Sequence, residues 1–372
     1  MTISFFRKKA LVAALAAWGC GIGAWAQTDI LRLLFAGDVM GHAPQIKSAE
    51  VAPGKWDYAP CFQYVAPLIE RADLAIANLE VTLPGKPPYQ GYPMFRSPDQ
   101  LAYDLRNAGF DILVTANNHS NDSHGPGLIH TIETLRNAGF QHTGTFLNPR
   151  DRQAYYPLMV YAKGFKLAIL NYTYDTNGVP TDPPAIVNLI DTALMAADLY
   201  EARARKPHYI IAVMHWGLEY QLVENTEQRR LARFLIRNGA DMVIGSHPHV
   251  VQPMRLERVE MPDGGVKEAL VVYSLGNFIS NQQKPHTDGG IVYQVELLKD
   301  RGRPEVRLGR HGYTPVWRYI HKDPVSGKTT YYALPIANDA DSPLPPMPAA
   351  SKAAIIRWGR ELRNRIGERY AW

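Results

Sequence analysis

Two histidines one residue apart, His247 and His249, have the residue type and the spacing of metal ligands. They follow a run at 241–244 that predicts a buried strand, and Gly245 lets the chain leave that strand abruptly. In an extended backbone, residues two apart point to the same side, so both imidazoles would face one side of the strand end. Pro248 restricts the backbone between them. A His-x-His pair alone is as often a pair of surface or satisfied core histidines as a metal site, so its interpretation depends on polar residues elsewhere in the chain.

Four other sets of polar side chains also follow predicted strands. Any one of them alone is typical of a turn, a helix cap or a structural histidine. Ligands of an open α/β sheet gather at the carboxyl ends of its strands, and carboxylate, amide and imidazole groups bind divalent ions such as Zn, Mn, Fe or Mg. Five sets therefore predict one metal site, where a bound ion would supply a nucleophile at neutral pH. The four sets are Asp38; Asn78 with Glu80; Asn117, Asn118 and His119; and His215.

Along the segments that would position these residues, short apolar runs alternate with helical patterns, and this alternation is typical of an α/β protein. The hexapeptide Leu-Arg-Asn-Ala-Gly-Phe occurs at 105–110 and at 135–140, with a shorter version at 236–240. Its glycine predicts a left-handed helix cap that turns the chain into the next strand. The predicted strands are 31–36, 74–77, 112–116 and 209–214, and the predicted helices are 61–71, 98–108, 128–138, 186–205 and 227–237.

The second half of the chain is predicted to be richer in antiparallel strands. Residues 158–161 and 165–172 flank a short Ala-Lys-Gly turn, which predicts a hairpin. Beyond the histidine pair, apolar runs are divided by turns that contain Gly or Pro, and they predict a second, more antiparallel sheet. These runs are 254–259, 269–274, 290–297, 306–309 and 313–318.

The N-terminal segment 1–26 predicts export. Three basic residues at 7–9 precede an apolar run at 10–18, and residues 24–26 form a small-x-small cleavage site. A membrane anchor is the first alternative, but it requires about 20 apolar residues, more than this run provides. A lipoprotein site at Cys20 is the second alternative. The expected location is therefore the periplasm or the cell surface, with the chain either free or anchored through Cys20.

Composition is that of a soluble globular protein, because 46% of the 372 residues are hydrophobic and 20% are charged, which excludes disordered and fibrous classes. Cys20 and Cys61 are the only cysteines, so the predicted mature chain has no disulfide. The formal charge of +5 includes three bases in the predicted export segment and four net positive charges in residues 351–372. The remaining body carries −2, and a slightly acidic body argues against nucleic acid as a partner.

One domain is predicted to span residues 27–338, and the C-terminal part of the chain is predicted to lie outside it. Residues 339–350 are Pro-rich and predict a linker, and residues 351–372 predict a basic amphipathic helix. We expect the apolar stripe of this helix to dock onto the body, and contact of its basic residues with an anionic membrane or polymer is the alternative. The stripe consists of Ile355, Trp358, Leu362 and Ile366, and the arginines are Arg357, Arg360, Arg363 and Arg365.

Six motifs, in their order and spacing, resemble the CapA family of capsule proteins, named for poly-gamma-glutamate synthesis. The resemblance covers roughly residues 30–280. The CapA family in turn looks like a divergent branch of the calcineurin-like metallophosphoesterases, which implies an α/β fold, a four-layer α/β/β/α sandwich with a dinuclear metal centre. The motifs are Gly37-Asp38-Val39-Met40, Asn78-Leu79-Glu80, Asn117-Asn118-His119 with Asp122 and Gly125, His215-Trp216-Gly217 with Glu219-Tyr220, Gly245-Ser246-His247-Pro248-His249-Val250, and Ser274-Leu275-Gly276-Asn277-Phe278.

The resemblance implies a role for each matching residue. One residue would protonate the leaving group, namely His119. Another, Glu80, would bridge two divalent ions, for which Mn, Zn and Fe are the expected identities. The other ligands implied by the resemblance are Asp38, Asn118, His215, His247 and His249.

The sequence departs from the phosphoesterase pattern at two positions. Met40 stands where those enzymes have a histidine, so either His42 substitutes or one ion loses a ligand. Glutamate replaces aspartate at the bridging position, which leaves the number of ions open. Further candidates are Asn78 and Asn117, and Glu219 as a carboxylate that orients a ligand histidine or simply forms a salt bridge. Asn277 is expected to have a structural role at a strand end.

Two functions of different class follow from these expectations. The first is an exported, metal-dependent hydrolase of the phosphoesterase type that cleaves a phosphoester or an amide-type bond. Its substrate would be a capsule-related polymer or a small molecule of the cell envelope. The second is a component of a capsule assembly complex that binds metal and polymer, and other assembly proteins, without turnover. An acid in the site and an open coordination position would separate the two, and the sequence supplies only the acid, His119.

Overall fold

The computed structural model describes residues 28–336, 344–367, 370 and 372. The predicted export segment 1–26, with Cys20, lies outside the described residues. Within the described ranges, no helix combines the length and the apolar character needed to cross a membrane.

The first half of the chain alternates strands with short helices. Its elements are β1 (Thr28–Val39), α1 (Ala43–Ala49), β2 (Glu50–Ala52), β3 (Lys55–Trp56), α2 (Ala59–Phe62), α3 (Ala66–Ile69), β4 (Leu74–Leu79), α4 (Gln100–Asn107), β5 (Ile112–Val114), α5 (His124–Asn137), β6 (Gln141–Thr143), β7 (Thr145–Phe146) and α6 (Pro149–Tyr155).

The second half begins with a hairpin, as predicted, and ends in a helix. Its elements are β8 (Leu158–Ala162), β9 (Phe165–Thr173), β10 (Ile186–Val187), α7 (Thr192–Ala204), β11 (Tyr209–His215), α8 (Thr226–Arg237), β12 (Met242–Ser246), β13 (Met254–Glu260), β14 (Val266–Val272), β15 (Asn277–Ile279), β16 (Gly289–Asp300), β17 (Val306–Lys322), β18 (Thr329–Pro335) and α9 (Ala349–Ile366).

Two large sheets carry the fold. The first has the strand order β18-β17-β16-β1-β4-β5-β6, with β15 beside β1, and its strands β1, β4, β5 and β6 run parallel. The second has the order β13-β14-β12-β11-β9-β8, and its four central strands run parallel between antiparallel edges. Parallel strands are buried on both faces, which explains why β1, β9, β11 and β12 are nearly continuous apolar runs.

Three apolar layers hold these sheets and helices together. Alternate residues of β1 show the pattern, because Leu33 and Phe35 face the second sheet while Leu34 and Ala36 face helices. The layer between the sheets also contains Ile169 and residues of the central strands of both sheets. A second layer joins the first sheet to α2–α5, and a third joins the second sheet to α7 and α8. The structure is therefore the predicted four-layer α/β/β/α sandwich.

Three sequence predictions about elements were wrong in detail. The predicted helix 61–71 is broken into α2 and α3, because Pro67 in the first turn of α3 has no backbone N–H to continue the preceding helix. The predicted helix 186–205 begins only at Thr192, where the Asp191 side chain accepts hydrogen bonds from the first backbone N–H groups. The two strands predicted at 306–309 and 313–318 form the single long strand β17.

The predicted second antiparallel sheet was also wrong. The late antiparallel strands β16, β17 and β18 return to the first sheet, where β16 pairs with β1. The second sheet instead has a parallel centre formed by β9, β11, β12 and β14. The partner of an apolar strand depends on contacts distant in sequence, which local periodicity does not contain.

The helix stops were predicted correctly. Gly109, Gly139 and Gly239 all have positive φ, at 102°, 83° and 115°. In each case the residue after the glycine donates its backbone N–H to a carbonyl five residues earlier, as Phe110 does to Leu105. These caps return the chain to the strands whose ends carry polar residues.

The C-terminal helix α9 packs on the body through its apolar stripe. Trp358, Leu362 and Ile366 join the core between the sheets, and Ile355 packs beside β17 and β18. The helix begins at Ala349, two residues before the predicted start, and residues 344–348 of the predicted linker contain no helix or strand. Arg365 does not face solvent freely, because its Nη1 donates to the carbonyl of Val251 at 2.7 Å.

Deletion of residues 350–372 is expected to lower the free energy of unfolding by about 6 kcal/mol or more, because four buried apolar side chains each contribute about 1.5–3 kcal/mol. Thermal and urea unfolding of the full and shortened chains would measure the loss. Arg357→Ala and Arg360→Ala, at exposed positions of the same helix, are the matched controls and should change stability little. Unchanged stability of the shortened chain, together with lost envelope association, would contradict docking and favour surface binding.

Candidate metal centre

The predicted site residues lie where strands from both sheets end. Asp38 is near the end of β1, Glu80 directly follows β4, and Asn118 lies in the loop after β5. From the second sheet, His215 is the last residue of β11, and the histidine pair follows β12. All five sets are buried, so the two sheets enclose them between their carboxyl ends.

The histidine pair reaches the site with a different backbone from the one predicted. His247 and His249 have φ values of 96° and 59°, so neither is extended and the strand has already ended at Ser246. Gly245 lies inside β12 and is needed for close packing, since a Cβ there would lie 2.0 Å from the carbonyl oxygen of Tyr273. The two imidazoles still face one site, with ring centroids 5.9 Å apart.

Two buried groups of side chains have the composition of metal sites. The first ligand group consists of Asp38, Glu80 and His249, and the second ligand group consists of Glu80, His215 and His247. Within each group, one ligand atom per residue lies within 4.8 Å of the others. Glu80 belongs to both groups, which is the placement required of a carboxylate that bridges two ions.

Three asparagines complete this centre, in two different ways. Asn118 places its Oδ1 2.7 Å from Nε2 of His215, so it stands beside the second ligand group. Asn78 donates from Nδ2 to Asp38 Oδ1 at 2.8 Å, while its own Oδ1 accepts from Nδ2 of Asn117 at 3.1 Å. Asn78 therefore holds the Asp38 carboxylate, and Asn117 holds Asn78, while the Oδ1 of Asn117 accepts from the backbone N–H of His119.

The residues fit divalent ions. Glu80 Oε1 and His247 Nδ1 are buried and have no hydrogen-bond partner among the residues that the structure describes, and Glu80 Oε1 lies 3.6 Å from Nε2 of His215. Burial lowers the pKa of His215 and of His247 well below 6.5, which keeps both imidazoles in the neutral form that ligates metals. Burial, together with the neighbouring Asp38, raises the pKa of Glu80 well above 4.5. A cation between these groups would satisfy the unpaired atoms and stabilise the charged carboxylate.

His119 lies beside the ligand groups but belongs to neither. Its Nδ1 is 2.7 Å from Oδ2 of the buried Asp122, and its ring packs edge-on against Phe95. Burial raises the pKa of Asp122, and the contact with His119 opposes that shift. This pairing occupies Nδ1 and leaves Nε2 as the nitrogen that can exchange a proton.

Two further candidates lie at the margin of the centre. His42 is outside the ligand groups among the described residues; its Nδ1 faces the backbone N–H of Asn281 at 3.2 Å, and burial lowers its pKa to about 4. Met40 stands where the phosphoesterases have a ligand histidine, and the structure does not place His42 in either ligand group as a substitute. Glu219 is 43% exposed, forms a third group with His247 and His249, and has Oε1 4.0 Å from Nε2 of His249.

A cleft of about 660 Å³ opens over the centre. Its wall includes Asn118, His119 and His249, so two of the candidate ligands and the candidate acid line it. Tyr220 and Lys284 also line the cleft, with Nζ of the lysine 5.9 Å from the tyrosine ring. A substrate could reach the centre through this cleft.

Three supporting residues were not recognised from the sequence as parts of the centre. Asp122 pairs with His119, Ser246 Oγ lies 3.0 Å from Nδ1 of His215, and Asn277 Oδ1 lies 3.1 Å from Nδ1 of His249. Asn277 thus contacts a candidate ligand histidine in addition to its place at the start of β15. All three stand within the six motifs, so motif membership was the available signal. Ser246 and Asn277 are 31 and 28 residues from their partners in the sequence, so local spacing does not predict these pairs, whereas Asp122 lies three residues after His119.

Comparison with known proteins gives a consistent family. A family model described as "Bacterial capsule synthesis protein PGA_cap" matches residues 32–282. The "PGA biosynthesis protein CapA" of Bacillus subtilis (strain 168) is 28% identical over 319 residues, 81% of this chain and 77% of that protein. The "Capsule biosynthesis protein CapA" of Bacillus anthracis is 26% identical over 290 residues, 74% of this chain and 66% of that protein. The family match contains both ligand groups, His119 and Asn277.

Solved structures show weaker likeness. The NAD nucleotidase NadN of Haemophilus influenzae has a TM-score of 0.48 and 12% identity, over 91% of this chain and 61% of that chain. A phosphatase from Mycoplasma pneumoniae has a TM-score of 0.45 and 14% identity, over 78% of this chain and 95% of that chain. Neither match is close enough to assign an activity to this chain.

Proposed function

The chain belongs to the bacterial capsule synthesis protein family, and from this membership we propose that it is a metal-dependent hydrolase of the cell envelope. Its substrate would be a capsule-related polymer or a small envelope molecule, cleaved at a phosphoester or an amide-type bond. It would be exported through the segment 1–26, either free or anchored through Cys20. Other capsule assembly proteins are its expected partners.

One observation supports a hydrolase above all others. Two buried ligand groups share Glu80, and the pair of His119 and Asp122 lies beside them without belonging to either group. A site that only binds metal needs no separate proton donor. A hydrolase needs one, because the leaving group must receive a proton.

The residues of the two ligand groups would hold two divalent ions, of which Mn, Zn and Fe suit this mixture of carboxylate, amide and imidazole. When bound, such ions supply Lewis acidity and a nucleophile at neutral pH. Asn118 would add an amide oxygen to the second ligand group, and Asn78 would keep the Asp38 carboxylate oriented.

His119 would deliver the proton to the leaving group. Asp122 accepts the hydrogen on Nδ1, which fixes the orientation of the ring, so Nε2 carries the proton that is transferred. Phe95 limits rotation of the ring by packing against its edge. The leaving group then departs neutral, and His119 takes up another proton from solvent in the cleft.

The test is a screen of the purified protein, loaded with Mn, Zn or Fe, against phosphoester and peptide substrates that include gamma-linked glutamate oligomers. We expect hydrolysis that depends on the metal, stops with a chelator and is absent from a Glu80→Gln variant purified in parallel. Polymer binding by a metal-loaded protein that hydrolyses none of these substrates would instead support the non-catalytic assembly component.

A further inference from the structure

Asn277 contacts both the metal centre and the loop that forms one wall of the cleft. It is the first residue of β15 and pairs in register with Asp38 of β1. Its side chain is buried and contacts His249 on one side and the loop at 280–288 on the other. The two ends of its amide therefore have different partners.

The partners fix which end of the amide faces His249. Nδ2 of Asn277 lies 2.9 Å from the backbone carbonyl oxygen of Thr287 and 2.9 Å from Oε1 of Gln282. A backbone carbonyl only accepts hydrogen bonds, so the group that faces Thr287 must be the NH₂. The opposite end is then the carbonyl oxygen, which lies 3.1 Å from Nδ1 of His249.

This orientation determines the tautomer of His249. Two oxygens that accept hydrogen bonds, Asn277 Oδ1 and Asp38 Oδ2, both lie 3.1 Å from its Nδ1. Nδ1 must therefore carry the hydrogen, and Nε2 keeps the lone pair. Nε2 is also the nitrogen that faces the other ligands, 3.7 Å from Oε1 of Glu80.

We propose that Asn277 is a positioning residue that holds His249 in the tautomer whose Nε2 can ligate a metal ion in the first ligand group. The inference rests on the proposed function, because it assumes that this group binds an ion. Asp38 cannot replace Asn277 in this role, since Asp38 is itself a ligand of the same group and its oxygens are drawn to the ion. Without Asn277, the ring is free to turn a hydrogen toward the ion.

The competing interpretation is that Asn277 only secures the cleft loop. The same amide donates to Gln282 and Thr287, and Gln282 and Lys284 line the cleft. Loss of those bonds would loosen the loop and lower stability without acting through His249. A test must therefore separate an effect transmitted by His249 from an effect on folding.

The experiment is a double-mutant cycle measured as zinc affinity, by competition with a coloured chelator. Asn277→Ala is made in the wild-type chain and in a His249→Ala background. In the wild-type background we expect the affinity for one of the two ions, the one held by the first ligand group, to fall about 10- to 100-fold, the usual cost of losing a partner of a ligand histidine. In the His249→Ala background, Asn277→Ala should leave the affinity of the remaining ion unchanged.

Two further variants control for the loop. Gln282→Ala removes one acceptor of the amide and leaves the Thr287 carbonyl in place, so zinc affinity should stay near wild type. Asn277→Asp keeps an oxygen for His249 and loses both N–H donors to the loop, so it should bind zinc more tightly than Asn277→Ala. Unfolding of the metal-free variants measures the purely structural loss separately.

The outcomes distinguish this inference from the proposed function. Wild-type protein that binds no zinc would contradict the proposed metal centre itself. Wild-type protein that binds zinc, with an equal loss from Asn277→Ala in both backgrounds or no loss in either, would overturn the role of Asn277 alone. Equal zinc affinities of Asn277→Asp and Asn277→Ala would also assign the effect to the loop.

Discussion

Replacement of His119 by alanine is expected to lower turnover by roughly 100- to 10,000-fold while metal content stays near wild type, because general acids contribute that much and His119 belongs to neither ligand group. Steady-state kinetics and metal analysis of the same preparations would measure both effects. The loss should shrink for a substrate whose leaving group needs no proton, since such a group departs unaided.

The neighbouring residue provides the matched control. Asn118→Ala removes an oxygen that lies 2.7 Å from Nε2 of His215, so this variant should bind metal more weakly, unlike His119→Ala. If His119→Ala instead strips the metal as thoroughly as His247→Ala, then His119 is a ligand and its role as an acid is wrong. If neither substitution changes a hydrolytic activity seen in the wild type, that activity belongs to a contaminant.

Glu80→Gln is expected to have the largest effect on metal content, because Glu80 is shared by both ligand groups. The neutral amide keeps the size of the side chain but removes the charge that two cations would share, so both ions should be lost. Asp38→Ala affects only the first ligand group and should keep one ion. Metal analysis of the two variants after identical loading and dialysis would give these numbers.

The metal-free state offers a control for folding. In that state Glu80 is a buried carboxyl whose pKa is raised by burial and whose Oε1 has no hydrogen-bond partner within the described part of the chain. Its replacement by an amide should therefore leave the melting temperature of metal-free protein unchanged or higher. Equal loss of metal from Asp38→Ala and Glu80→Gln, with both variants folded, would contradict the shared position of Glu80.

The sequence predicted correctly that these side chains come together, but it did not predict the backbone conformation that brings the histidine pair there. Polar residues after apolar runs identified Asp38, Glu80 and His215, because the carboxyl ends of parallel strands must meet at one edge. The His-x-His pair was identified on an assumption that the structure contradicts, since His247 and His249 have positive φ. Local spacing shows which side chains are near each other in the chain, but not the turn that directs them.

The supporting residues illustrate the limit of such predictions. Asn277 is 28 residues from His249, and the two meet through pairings that periodicity does not encode, namely β15 with β1 and the bridge between Val251 and Leu275. The return of β16 to the first sheet is the same kind of long-range choice. Asp122, three residues after His119, was within reach of the sequence, since an acid at that spacing in a turn can pair with the imidazole.

Metal analysis of the purified protein, after incubation with Mn or Zn and removal of free ions, tests the central claim most directly. The two ligand groups that share Glu80 predict two divalent ions per chain, so the measured metal content should exceed one equivalent per chain. A preparation that remains metal-free after incubation with either ion would contradict the metal centre and every role assigned to the residues around it.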